Sequence, residues 1–168
     1  MAAGSCHSMV LKQDGSVWAT GENKYGQLGD GSTRRQSSFV QVISIGAAAI
    51  AAGDDHSMVL KQDGSVWVTG RNNFGQLGSG PKTFRNTFEQ VISSGIQAVA
   101  AGGWHSMVLK HNGSVWSTGA NSYGQLGDGS TTSKNTYVRV VLAHNGAWCT
   151  IQSIFFRFRN YFPTNLFN

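Results

Sequence analysis

The sequence predicts an all-β protein, a partial β-propeller of about three four-stranded antiparallel blades. Three observations carry this reading. The string His-Ser-Met-Val-Leu-Lys begins at His7, His56 and His105, and Gly-Gln-Leu-Gly begins at Gly26, Gly75 and Gly124, each copy 49 residues after the last. Self-similarity at a fixed period marks a stacked-repeat architecture, because one unit cannot bury its apolar faces alone. The composition agrees: 22 glycines and a charged fraction of 12%, about half the ordinary charged share, suit short strands joined by tight turns. Finally, in the strand Ser8 to Lys12, Met9 and Leu11 point to one side and Val10 to the other. Both faces are apolar and need covering, which a ring of roughly four to eight blades provides.

The units are taken as residues 4–52, 53–101 and 102–150. In the first, Ser8 to Lys12 and Ser16 to Thr20 are β-prone runs flanking Asp14-Gly15. Asp-Gly supplies the positive φ angles of a primed hairpin turn, and the same hairpin recurs around Asp63-Gly64 and Asn112-Gly113. A third strand fits Phe39 to Ile43, with Phe88 to Ile92 as counterpart, and a fourth fits Ala48 to Ala52, with Ala98 to Ala101 as counterpart. The four strands of one unit then make one sheet, whose alanine-rich strand suits a crowded inner edge near the axis. Trp18, Trp67 and Trp116 read as wedges between blades. Gly26, Gly75 and Gly124 open a turn that anchors a leucine in the core, with Asn23, Asn72 and Asn121 bonding that turn through their side chains.

The pattern breaks after Leu142. Gly146-Ala147-Trp148-Cys149-Thr150 looks like Gly102-Gly103-Trp104-His105-Ser106 arriving early, and Ile154 to Arg159 lacks the hairpin glycine. Residues 151–168 read as an off-pattern tail, a degraded fourth repeat or an artefact.

The pattern Ala-Ala-Gly-x-x-His-Ser-x-x-Leu-x-x-x-Gly-x-Val-x-x-x-Gly-x-Asn-x-x-Gly-Gln-Leu-Gly-x-Gly runs through Ala51–Gly80, Ala100–Gly129 and Ala2–Gly31. It resembles the repeat of the regulator of chromosome condensation family over residues 2–150. Kelch and WD repeats are near it in period but are not expected to carry Gly-Gln-Leu-Gly. The resemblance implies blades of a seven-bladed propeller, a ring that three units do not close. It also implies, for a minority of such propellers, guanine-nucleotide exchange on a small GTPase with chromatin attachment.

The residues themselves point away from catalysis. An active site is one constellation of different groups, whereas groups present three times serve the architecture. His7, His56 and His105 could ring an axis, but no carboxylate recurs beside them to orient a metal-bound imidazole. A structural role is expected of them, with no metal and no cofactor. Gly-Gln-Leu-Gly lacks the Gly-Lys-Ser/Thr ending of a phosphate loop. Cys6 and Cys149 occupy non-equivalent positions, which suggests no disulfide framework and favours a reducing, intracellular setting. A leader of positive charge followed by an apolar stretch is not visible at the first residues, nor is a run of the roughly 20 apolar residues that a membrane helix needs.

Function is expected where the copies differ, since variable loops on a rigid scaffold carry recognition. One variable stretch supplies Arg34, Arg35, Lys82, Arg85 and Lys134, a candidate basic arc. The other, just before each repeated histidine, supplies Asp54, Asp55 and Trp104, a mixed acidic and aromatic patch of the kind that anchors protein interfaces. The leading expectation is therefore a non-enzymatic scaffold for a partner protein. Nucleotide exchange on a small GTPase is the first alternative, and binding of nucleic acid or another anionic surface by the arc is the second. The net charge of +5 is spread over the chain, and without a concentrated basic run nucleic acid is a weak expectation. Self-association through open blade faces is a further one.

Overall fold

The structure, a computed structural model, describes residues 1–81 and 83–142. The end of the third unit and the off-pattern tail, with Cys149, lie outside the described residues, as does Lys82. Among the described residues twelve strands form three four-stranded antiparallel sheets. The first holds β1 (Ala2–Ala3), β2 (His7–Leu11), β3 (Val17–Gly21) and β4 (Gln36–Ile43), in that order. The second holds β5 (Ala47–Ala52), β6 (His56–Lys61), β7 (Val66–Arg71) and β8 (Phe84–Ile92), and the third β9 (Ile96–Ala101), β10 (His105–Lys110), β11 (Val115–Gly119) and β12 (Lys134–Arg139). These are consecutive blades of a partial β-propeller.

Two sequence expectations are corrected. Ala48 to Ala52 does not close the sheet of the hairpin before it: β5 pairs with β6, with Ala51 opposite Met58. The backbone explains this, because Ala47 N donates to the Gly15 carbonyl and Gln62 N to the Gly46 carbonyl, which steers the chain across to the next blade. The 49-residue period is unaffected, but each blade begins with its alanine-rich strand. β1, β5 and β9 lie side by side across the three blades, so the crowded inner edge is where the alanines are.

The hairpin turn also differs. Among the described residues positive φ occurs only at glycines, Gly15 at 79° included, so Asp14 does not enter a primed two-residue turn. Lys12 N donates to Ser16 O and Gly15 N to Lys12 O, a three-residue loop in which the glycine supplies the left-handed step. Asp14 Oδ1 caps it by accepting from Ser16 N and Ser16 Oγ at 2.9 and 2.7 Å.

The blades are sandwiched together by apolar side chains. Met9, Val17, Ala19 and Leu28 of the first blade meet Val59 and Trp67 of the second. Met58, Leu60, Val66, Val68 and Leu77 of the second meet Val108 and Trp116 of the third. Trp67 and Trp116 are thus wedges between blades. Each repeated tryptophan donates its ring N–H to the serine two residues earlier and carries a lysine ammonium over its ring, as Lys61 does at 4.1 Å from the Trp67 centroid.

A polar relay crosses each of these apolar interfaces. Ser57 Oγ donates to the Gln27 carbonyl of the preceding blade at 2.7 Å, so its oxygen accepts from His7 Nε2 at 2.9 Å. A hydroxyl has one hydrogen to give, which fixes Nε2 as the protonated nitrogen of His7. Ser106 repeats the arrangement with the Gln76 carbonyl and His56. Thr69 Oγ1 donates to the Gly26 carbonyl and Thr118 Oγ1 to the Gly75 carbonyl. Burial holds the imidazoles neutral: it pushes His56 down from 6.5 to about 3, with His7 and His105 adding repulsion.

Candidate interaction rim

The site is built from the turn that precedes each Gly-Gln-Leu-Gly. Asn23 is fully buried: its Oδ1 accepts from Leu28 N, and its amide donates to Asp30 and to the carbonyls of Ser32 and Arg34. Asn121 does the same for Leu126, Asp128, Ser130 and Thr132. Gln27, Gln76 and Gln125 turn their Oε1 atoms back onto the amides of Tyr25, Phe74 and Tyr123. The aromatic residue two places after the asparagine is therefore held on a rigid frame at the rim of every blade.

Two of these rings, Tyr25 and Phe74, contact the next blade. Arg71 lies over the Tyr25 ring, its guanidinium 4.7 Å from the centroid, and its Nη1 donates to Asp55 Oδ2 at 3.2 Å. One blade further on, Phe74 stacks on Trp104 at 5.3 Å between centroids and an interplanar angle of 24°. Asp54 links the two clusters: its amide donates to the Gly103 carbonyl, and its carboxylate lies so close to Gly103 that a Cβ there would stand 2.9 Å from Oδ2. Phe84, 44% exposed, stands opposite Arg71 in the β7–β8 register. The structure thus brings Asp54, Asp55 and Trp104 together on one rim. The sequence reading missed Tyr25, Arg71, Phe74, Phe84 and Tyr123. A signal was available for three of them, since the position before Gly26, Gly75 and Gly124 is aromatic in all three copies.

Phe74 and Trp104 keep 39% and 46% of their surface exposed although they stack on each other. Two adjoining aromatic rings left this open beside an ion pair have the make-up of an interface anchor rather than of core. Asp55 and Arg71 are each three-quarters buried at the side chain.

The basic residues are distributed differently. Arg34 and Arg35 are exposed, and Arg35 lines a shallow depression with Cys6, Glu22 and Gln36. Arg85 is ion-paired with Glu89, and Lys134 with Asp128 at 3.7 Å. Gln36, Arg85 and Lys134 are one repeat position, opposite Gly21, Gly70 and Gly119. Gln36 and Lys134 reach the carboxylates of Asp30 and Asp128, but the second blade has Ser79 there, and Arg85 turns to Glu89. Two members of the arc are therefore neutralised within their own blades. Among the described residues no group of three or more histidine, cysteine, aspartate or glutamate side chains gathers as a metal site.

The regulator of chromosome condensation (RCC1) repeat matches the sequence at residues 14–60, 63–109 and 112–150. A second description of the same repeat matches residues 47–76 and 96–125. The chain belongs to the RCC1-repeat family.

Solved structures agree on the fold. Prp20p from Saccharomyces cerevisiae is 22% identical with a TM-score of 0.77, covering 85% of this chain and 38% of its own. Yeast RCC1 (Prp20) bound to Kap60 is 22% identical with a TM-score of 0.75, covering 85% of this chain and 37% of its own. Human WBSCR16 is 25% identical with a TM-score of 0.73, covering 83% and 38%. The chain spans less than two-fifths of the length of these relatives. No curated protein matches it.

Proposed function

We propose that the chain is a non-enzymatic interaction module that docks a partner protein on this rim. The observation that carries the reading is the exposed Phe74–Trp104 stack beside Asp54 and the Asp55–Arg71 pair. The rings supply rigid area with little conformational entropy to lose, and Asp54, which has no ion-pair partner among the described residues, selects a partner surface that brings a cation to the edge of that aromatic anchor. The internal pairing of Arg85 and Lys134 favours this over binding to nucleic acid through the basic arc.

The test is a cross-linked pull-down followed by titration of the recovered partner. W104A together with F74A weakens binding by about 2 kcal/mol or more, roughly thirtyfold, whereas R34A with R35A leaves it within twofold. A partner bound equally by W104A/F74A and lost with the arginines would overturn the rim in favour of the arc. Prp20p is described with binding to Gsp1p and histones, so the same preparation is added in catalytic amounts to small GTPases. Unchanged nucleotide release fits the scaffold reading, and acceleration would replace it with exchange.

A further inference from the structure

The two outer faces of the three-blade stack are complementary to each other. Every blade has a histidine side, carrying His-Met-Leu and the Gly-Gln carbonyls, and a serine side, carrying Ser-Val-Trp-Thr. Inside the molecule the histidine side of one blade meets the serine side of the next twice, with the same hydrogen bonds each time. Among the described residues one copy of each side meets no other blade, the serine side of the first blade and the histidine side of the third.

The leftover groups mirror the engaged ones. On the third blade, His105 Nε2 and the Gln125 carbonyl have no partner among the described residues, and the Gly124 carbonyl accepts only from Gly127 N. Met107, Leu109 and Val115 are half-exposed, although Met58, Leu60 and Val66 at the same positions are buried. On the first blade, Ser8 Oγ has no partner among the described residues, and Thr20 Oγ1 reaches only Gln36 O, where Thr69 reaches both Arg85 O and the preceding blade's Gly26 O. Val10 is half-exposed, whereas Val59 and Val108 are buried.

We infer that two copies of this chain associate head to tail, the histidine side of the third blade of one docking on the serine side of the first blade of the other. The contact would place His105 against the second copy's Ser8, with Ser8 donating to Gln125 O and the Thr20 hydroxyl sharing its hydrogen between Gln36 O and Gly124 O, as Thr69 does between Arg85 O and Gly26 O. It is heterologous, joining two different patches, and such contacts close into a ring when the rotation permits. The described residues of two chains supply six blades, within the range of roughly four to eight over which propellers close. The occupant is a second copy because the fit is between two surfaces of one chain, through bonds that the chain already makes twice. This inference uses the blade faces and does not depend on the rim.

The experiment is light scattering of the whole chain across the micromolar range, with variants that block one side each. The wild-type chain gives twice its monomer mass or more. Val10→Glu blocks only the serine side and Met107→Glu only the histidine side, and each alone is monomeric. Mixed, they form a one-to-one complex, since each retains the side that the other lacks. If either variant loses its strand signature in far-UV circular dichroism, Thr20→Arg and His105→Glu replace the pair. A monomeric wild-type chain, as when residues 143–168 or another occupant cover the third blade, overturns the inference. Self-association that survives in both single variants, or a mixture that stays monomeric, overturns it as well.

Discussion

The same six residues, His-Ser-Met-Val-Leu-Lys, occur in the middle blade and in its two neighbours, yet their surroundings differ. In the middle blade His56, Ser57, Met58, Val59 and Leu60 are all buried. In the first blade His7 and Met9 are buried while Ser8 and Val10 are half-exposed, and in the third the pattern inverts, with Ser106 and Val108 buried and His105 and Met107 half-exposed. Identical local sequence thus gives three different energetic roles. In stacked repeats stability lies in the interfaces between units as much as in the units, and a residue's contribution is set by whether a neighbour faces it.

Truncation at equivalent methionines tests this most directly. Met58→Ala removes a side chain with 0% exposure at the second interface and costs about 3 kcal/mol, the sum of lost burial and the cavity left behind. Met107→Ala, at the same position on a half-exposed face, costs under about 1 kcal/mol. Urea denaturation at a concentration low enough to keep the chain monomeric reads both. Equal losses would mean that the third blade's face is covered as completely as the second's.

Much of this was legible in the sequence. The His-Ser-Met-Val-Leu-Lys and Gly-Gln-Leu-Gly strings fixed the strands and turns because their residues serve geometry that every blade shares. The sheet to which Ala47–Ala52 belongs was not legible: short-range pattern shows that the run is a strand, and only the bonds of Gly46 and Ala47 to flanking hairpins choose its partner. The Asp-Gly turn was misread for a related reason, since an Asp-Gly pair fits both a two-residue and a three-residue loop and the choice lies in Lys12 N bonding Ser16 O. Asp54, Asp55 and Trp104 could be singled out as places where the copies differ. Their joining with Phe74 and Arg71 could not, because the Phe74–Trp104 stack runs between blades and the Asp55–Arg71 pair runs across one blade, each between non-equivalent repeat positions.

Acid provides the next comparison. In the folded state His56 is held neutral, with its pKa down at about 3, while the unfolded chain takes up a proton at that ring near pH 6.5. Below pH 6.5 the unfolded state therefore binds more protons, so stability is intact above that pH and falls progressively until about pH 3. At pH 5 the loss from His56 is about 2 kcal/mol. His105, lowered by less complete burial, contributes less. Most carboxylates remain ionised down to about pH 4.5, so chemical denaturation between pH 6.5 and 4.5 reads the histidines. H56Q flattens the slope in that window more than H105Q does; equal slopes in both variants would remove His56 from its sandwiched position.

Two glycines that open the same turn sharpen the comparison further. Gly26 and Gly124 have φ of 77° and 73°, and alanine at either incurs the same backbone cost of about 1 kcal/mol. They differ in what stands beyond the turn. A Cβ on Gly26 would collide with Asn86 Cα and the Arg85 carbonyl of the next blade, while a Cβ on Gly124 would have the Ser130 carbonyl as its nearest neighbour at 4.0 Å. Gly26→Ala is therefore expected to cost about 1 to 3 kcal/mol more than Gly124→Ala, the added amount being the strain of prising two blades apart. Thermal denaturation of the two variants at low concentration measures the difference directly. If association does place a blade against the third face, the Gly124→Ala penalty rises toward that of Gly26→Ala as the chain is concentrated, while the Gly26→Ala penalty stays where it was.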